Sequence, residues 1–215
     1  MICGIDEAGR GPVIGPMVVA GIVVNEDTEL IELDVKDSKR LSPDRRRELE
    51  GKIKRLGTYS LRILPAEEID NLRGEMSLND IEAGLFASII EEICDETTTV
   101  YVDAASTDEE RFADMIQSRL DEPMDIISRH GADDSYPVVS AASILAKVRR
   151  DDEVERIEGE LDEEIGSGYP SDMRTREFLV KWIDEHGELP PHTRKSWETA
   201  KELLSRSKNR TLDDF

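Results

Sequence analysis

The stretch Gly4-Ile5-Asp6-Glu7-Ala8-Gly9-Arg10-Gly11-Pro12 constrains this chain more than any other part of it. Residues 2–7 alternate as a strand does, and residues 16–24 (PMVVAGIVV) read as its partner. Two adjacent acids interrupt that first strand. A carboxylate in a core strand is costly unless it is paired or bound to a metal. Glycines at 9, 11 and 15, with prolines at 12 and 16, then end regular structure and let the backbone approach a ligand closely. A strand end followed by a tight turn accounts for the glycines but not for a buried Asp-Glu pair. Acids beside an open backbone point instead to a metal site that handles a phosphodiester.

A length of 215 residues fits one domain, or one domain with a small appendage. No apolar run is long enough for a membrane span, and no basic region precedes the apolar N-terminus as in a signal peptide. The expectation is a cytoplasmic protein with no membrane partner. Cys3 and Cys94 have no CxxC spacing and read as small buried hydrophobes in a reducing compartment. The net charge is −21, and the 28 basic residues are 19 Arg and 9 Lys. The acids are spread over 91–96, 108–110 and 151–164, so they form a solvated coat rather than a tail. Acidic excess with scarce lysine reads as adaptation to a salt-rich cytoplasm, with a plain acidic mesophilic protein as the alternative. Such a charge does not exclude a nucleic-acid partner, because binding depends on local patches and on salt.

Strands over 2–7, 16–24 and 58–64 (TYSLRIL) predict an opening meander. Between the last two lies a helix with Ser42 at its N-cap, Pro43 at N1 and the basic run Arg45-Arg46-Arg47. Residues 77–94 predict a strong helix, with a capping box from Ser77 and Asp80. TTTVYVDA at 97–104 predicts a strand ending in Asp103; Thr107 then caps a helix over 108–120, and 124–129 is a further strand. Pro137 opens a helix running to about 164, after which Gly166, Gly168 and Pro170 break the chain. Two more helices are predicted near 172–186 and 193–205. This order implies a mixed α/β sheet with helical cover and a terminal helical appendage beside the site.

Asp6 and Glu7 lie on the first strand, and Asp103 ends a later one. Ligands of open α/β sheets gather at the carboxyl ends of strands. Asp133 sits in the loop Gly131-Ala132-Asp133-Asp134-Ser135-Tyr136-Pro137. Four acids from three segments thereby converge at one sheet edge. Hard oxygen ligands suit Mg²⁺ or Mn²⁺, and no His/Cys cluster indicates zinc. Two such ions activate a water and stabilise a leaving oxygen. Singly, Asp133 or Asp134 reads equally as a helix cap, and Asp103 as a turn residue.

GIDEAGRGPVIGP, DSKRLS at 37–42, YVDAAS at 101–106, ADDSYPVVSAASILAKVRRD at 132–151 and GSGYPSD at 166–172 occur in the order in which ribonuclease HII, a type 2 ribonuclease H, carries its motifs. The chain resembles the archaeal-like members of that family over residues 1–200. The resemblance implies a ribonuclease H-like mixed sheet flanked by helices, with a catalytic core over 1–165, a C-terminal helical segment over 166–206 and a flexible tail over 207–215. It implies cleavage of the RNA strand of RNA–DNA hybrids, and incision at single ribonucleotides embedded in duplex DNA. It also implies two-metal hydrolysis leaving 5′-phosphate and 3′-hydroxyl ends, by a monomer. Asp6, Glu7, Asp103 and Asp133 resemble the family's metal-binding carboxylates; Asp133 rather than Asp134 matches by its place after Ala132 and three residues before Tyr136. Gly9, Arg10 and Gly11 resemble the segment whose backbone reads the ribose 2′-hydroxyl. Tyr169 resembles the tyrosine that packs on the same sugar, the group that separates RNA from DNA.

Phosphate contacts are expected from Lys39, which precedes a helix start, and from Ser140, Ser143 and Lys147, which share one helix face. Arg45–Arg47, Arg149, Arg150, Arg174, Arg176, Arg194 and Lys195 extend the track or form solvated helix faces. The tail Asn209-Arg210-Thr211-Leu212-Asp213-Asp214-Phe215 is similar to a sliding-clamp-binding peptide, with Leu212 and Phe215 as anchors. Asn209 stands where that peptide carries Gln. The three histidines are scattered, and no Walker or GxSxG motif occurs. A resolvase on the same fold and a hybrid-binding protein without catalysis are the competing functions.

Overall fold

A computed structural model describes residues 1–35, 41–106 and 108–213, with side chains as far as Ser207. Lys39, Phe215, the side chain of Leu212 and the expected cap Thr107 therefore lie outside the described residues. Five strands, β1 (Ile2–Ala8), β2 (Met17–Val24), β3 (Thr58–Leu64), β4 (Thr99–Asp103) and β5 (Asp125–Arg129), form one sheet in the order β3-β2-β1-β4-β5. β1 runs antiparallel to β2 and parallel to β4, and β5 is parallel to β4. The short loop after β1 permits the antiparallel pair, whereas the parallel strands need helical crossovers.

The helices are α1 (Thr28–Glu32), α2 (Pro43–Ile53), α3 (Ala66–Arg73), α4 (Leu78–Ile93), α5 (Glu109–Gln117), α6 (Ala132–Ser135), α7 (Pro137–Leu161), α8 (Met173–His186) and α9 (Glu198–Asp213). Ser42 caps α2 by accepting from the Arg45 amide, and Ser77 and Asp80 complete the capping box of α4. Several elements differ from expectation. The cap of α5 is Asp108, whose carboxylate accepts from the Arg111 amide. α9 begins at Glu198 rather than 193, because Thr193 bridges to Ile14 and 194–197 form a turn; its backbone stays helical through Asp213. α1 and α3 are additional: their short, acid-rich sequences hide a narrow apolar side, Leu30 in α1 and Ala66 and Ile69 in α3.

Two compact units interleave along the chain. The first takes Met1–Ala8, Val18–Ile63 and Met76–Arg149; the second takes Gly9–Met17, Leu64–Glu75 and the chain from Arg150 onward. Within the first, the pleat divides the core. Cys3 and Ile5 of β1 and Val19 and Val23 of β2 pack with Phe86, Ile89 and Ile90 of α4 and Phe112 of α5. Ala8, Val18, Ala20 and Ile22 pack with Val138, Val139, Ile144 and Leu145 of α7 on the opposite face. Gly4 lets β1 lie directly against α7: a Cβ there would sit 2.2 Å from the Val138 carbonyl oxygen. The second unit has its own core, where Val13 and Ile14 meet Val154, Ile157, Phe178, Leu179 and Leu203. No helix among the described residues is long and apolar enough to cross a membrane.

Candidate active site

Parallel pairing aligns the first two acids. The β1–β4 register runs from Ile2↔Thr99 to Ile5↔Val102, so one further step brings Asp6 level with Asp103. Both residues lie at strand carboxyl ends on the α7 face, because their neighbours Ile5 and Val102 point into the α4 cluster. Asp133 arrives from α6, a single turn begun by Gly131 in the left-handed region (φ 69°), where a loop was expected. The Asp103 carboxylate holds that turn, with Oδ1 accepting from the Gly131 amide at 2.7 Å and the Ala132 amide at 3.1 Å. The Ser140 hydroxyl donates to the Asp133 carbonyl. As a result, one oxygen each from Asp6, Asp103 and Asp133 lies within 4.8 Å of the others. Glu7 falls outside this group of three, although its charge acts on Asp6.

The electrostatics fit a bound cation. Asp6 is only 4% exposed, and burial, followed by the negative charges of Glu7 and Asp103, holds its carboxyl well above the usual carboxylate range. A hydrogen bond with Ser143 and the Lys147 charge offset part of this. Lys147 Nζ donates to Ser143 Oγ at 2.7 Å, one turn apart on α7. Ser140 and Ser143 are both fully buried, so they lie behind the carboxylates rather than on an open face. Converging, partly desolvated acids match the oxygen donor set of Mg²⁺ or Mn²⁺.

The second unit contains the other expected recognition residues. Gly9 (φ 83°) and Gly15 (φ 91°) take backbone conformations that L side chains resist. A Cβ on Gly9 would lie 2.6 Å from the Pro16 carbonyl, and one on Gly11 3.5 Å from Tyr169 Cε1. The Tyr169 ring thus covers Gly11 while staying 38% exposed. Arg150 lies under the ring, its guanidinium 5.3 Å from the centroid, and donates to the Ser167 carbonyl at 2.8 Å.

Arg150 and Arg194 do not belong to an exposed phosphate track. Arg150 is 6% exposed and Arg194 is fully buried. Arg194 donates to the carbonyls of Gly15 (3.0 Å), Arg10 (2.8 Å) and Gly9 (2.5 Å). Burial, followed by the Arg150 charge, lowers its guanidinium to about 9, which leaves it charged at neutral pH. A basic residue in a polar Thr-Arg-Lys-Ser run carries no local sign of burial.

Comparison with known proteins agrees with this geometry. The family profile described as ribonuclease HII matches residues 3–200. The ribonuclease HII of Thermococcus kodakarensis is 49% identical over 208 residues, spanning 95% of this chain and 90% of that protein. The crystal structure of the ribonuclease H2 from Pyrococcus horikoshii superposes with a TM-score of 0.88 at 40% identity, covering 96% of this chain and 98% of that one. The structure of the PCNA:RNase HII complex from Archaeoglobus fulgidus gives 0.88 at 39% identity and covers both chains completely. A match over nearly the whole chain, with the acids gathered at the strand ends, makes this protein a member of the ribonuclease HII family, metal-dependent endoribonucleases that hydrolyse the RNA of RNA–DNA hybrids.

Proposed function

We propose that this enzyme also incises duplex DNA at single embedded ribonucleotides, using two divalent ions, Mg²⁺ or Mn²⁺, held by Asp6, Glu7, Asp103 and Asp133. The observation that carries the proposal is the meeting of three carboxylate oxygens within 4.8 Å at the strand ends. Bound ions would supply charge neutralisation at the scissile phosphate and activation of the attacking water, giving 5′-phosphate and 3′-hydroxyl ends. The protein's own share is positional. Asp103 fixes the turn that carries Asp133 by accepting hydrogen bonds from two of its backbone amides, and Ser143 and Lys147 hold Asp6 from behind. Lys147 adds positive charge beside the acids, and Lys39 is assigned to the substrate phosphate on sequence alone. Sugar selection falls to the Gly9–Gly11 backbone, which begins two residues after Glu7, and to Tyr169, whose exposed ring lies over Gly11. A 2′-hydroxyl both donates and accepts, so fixed backbone groups and a flat ring separate ribose from deoxyribose.

The test is incubation of the purified protein with an end-labelled duplex carrying one ribonucleotide, with Mg²⁺ or Mn²⁺, beside an all-DNA four-way junction. A single incision with 5′-phosphate and 3′-hydroxyl ends is expected, and Tyr169→Ala should lose preference for the ribonucleotide more than duplex affinity. Cleavage of the junction alone would favour a resolvase, and no incision with either ion would refute the proposal.

We further propose that the C-terminal tail tethers the enzyme to the sliding clamp through Leu212 and Phe215. The solved PCNA complex of a 39% identical ribonuclease HII supports this, as does the helical backbone that α9 keeps through Asp213. The enzyme is assigned to the cytoplasm as a monomer.

A further inference from the structure

The segment Arg194–Trp197 grips all three carbonyls of the Gly9-Arg10-Gly11 loop. Arg194 takes the carbonyls of Gly9 and Arg10, and Trp197 Nε1 donates to that of Gly11 at 3.2 Å. The grip is itself anchored. Asp70 on α3 accepts from the amides of Lys195 (2.6 Å) and Ser196 (3.0 Å) and from the Ser196 hydroxyl. The Arg194 amide donates to the Val13 carbonyl at 2.8 Å, and its guanidinium stacks 4.9 Å from the Trp197 centroid. A guanidinium presents donors in a rigid planar fork, so three diverging carbonyls are fixed by one side chain.

This has a directional consequence. In a trans peptide the carbonyl of one residue and the amide of the next point to opposite sides. With the Gly9 and Arg10 carbonyls turned toward Arg194, the amides of Arg10 and Gly11 are turned away from it. Arg150 does the corresponding work for Tyr169, lying under its ring while bonded to the Ser167 carbonyl two residues earlier.

We infer that Arg194 is a positioning residue for ribose recognition, setting the direction of the Arg10 and Gly11 amides through the loop carbonyls, with Trp197 as its partner on Gly11. The inference rests on the sugar-recognition role proposed above for this loop. Arg194 touches no substrate and supplies no charge to a phosphate; it determines whether the backbone donors face the sugar. Lysine cannot replace it, because an ammonium on a flexible stem has no fork to hold several carbonyls in fixed directions.

The test compares the full-length parent with Arg194→Lys and Trp197→Phe. Dissociation constants are measured in EDTA, where no cleavage occurs, for a duplex with one ribonucleotide and for the all-deoxy duplex of the same sequence. Melting temperatures are recorded in parallel. The parent should prefer the ribonucleotide duplex. Arg194→Lys should keep its affinity for the all-deoxy duplex while the preference falls about tenfold, the cost of one misplaced hydrogen bond from the backbone to the sugar. Trp197→Phe keeps a ring over the guanidinium and loses only the Gly11 bond, so a smaller fall in the same ratio is expected. It decides the matter if Arg194→Lys does not fold. A folded variant with an unchanged ratio, or with both affinities lowered alike, overturns the positioning role. A parent without preference overturns the sugar-recognition reading itself, a separate and recognisable outcome.

Discussion

Gly4→Ala should be among the most damaging single-methyl changes in this protein. Gly4 is in the middle of β1, two residues before Asp6, where the strand crosses the start of α7. An added Cβ would lie 2.2 Å from the Val138 oxygen, 2.3 Å from its carbonyl carbon and 2.6 Å from the Val139 nitrogen. All three are backbone atoms, so no side chain can turn aside. Relief requires β1 and α7 to separate by about 1 Å, and overpacking of this kind costs about 3 kcal/mol, the upper part of the usual range. For a chain of this length each kcal/mol lowers Tm by about 2–4 °C, so a fall of about 6–12 °C follows. The same shift would carry Ser143 away from Asp6, so cleavage should fall as well. Gly159→Ala is the matching control: it lies in α7 with nothing within 4 Å of the new Cβ, and should gain about 0.5–1 kcal/mol from helix propensity. Thermal unfolding followed by circular dichroism at fixed salt reads both variants. If Gly4→Ala melted within about 2 °C of the parent, the close strand–helix approach would not be a constraint.

Three further outcomes are expected. Asp6→Asn should abolish cleavage yet leave a folded protein. Because the folded state binds the Asp6 proton more tightly than the unfolded chain, the metal-free parent should lose stability as pH rises from the ordinary carboxylate value through the raised one. The Asn variant should lack that loss and should gain less stability from added Mg²⁺; an identical pH dependence in the two proteins would contradict the desolvated site. With a net charge of −21, the parent should melt higher in molar KCl than in dilute buffer, while hybrid affinity falls as salt rises; a Tm that declines steadily with KCl would contradict a halophilic surface. Deleting residues 209–215 should remove clamp binding in a pull-down and leave cleavage of a short free duplex unchanged, and clamp affinity that survives the deletion would place the contact elsewhere.

Much of the sheet was legible from local pattern. The alternation in 2–7 and the continuous apolar run of 16–24 mark one strand with an acid at its end and a neighbour buried on both faces, and β1 and β2 have those properties. Ser42-Pro43, the Ser77/Asp80 box and Pro137 located helix starts because capping chemistry is confined to four consecutive residues. α1 and α3 were not legible: five and eight residues give too few turns for a periodicity, and tertiary burial of one side stabilises them. Likewise, Thr193 continues a polar run that resembles a helix start until its pairing with Ile14 claims it.

The candidate acids could be picked out from sequence, since few roles besides ion pairing or metal binding explain a carboxylate in a core strand. Which of them meet was a tertiary decision. The parallel register of β1 and β4 aligns Asp6 with Asp103, and hydrogen bonds from two backbone amides to Asp103 draw in Asp133, while Glu7 stays outside the group of three. The fate of the arginines was decided the same way. Composition assigns Arg150 and Arg194 to a charged surface, because an isolated buried guanidinium is prohibitively costly. Only the fold supplies a ring of backbone carbonyls and two aromatic faces to offset that cost, and so converts surface-like residues into internal supports. Sequence determined which chemistry this chain carries; long-range pairing determined which atoms share a site, because register and carbonyl direction depend on partners far away in the chain.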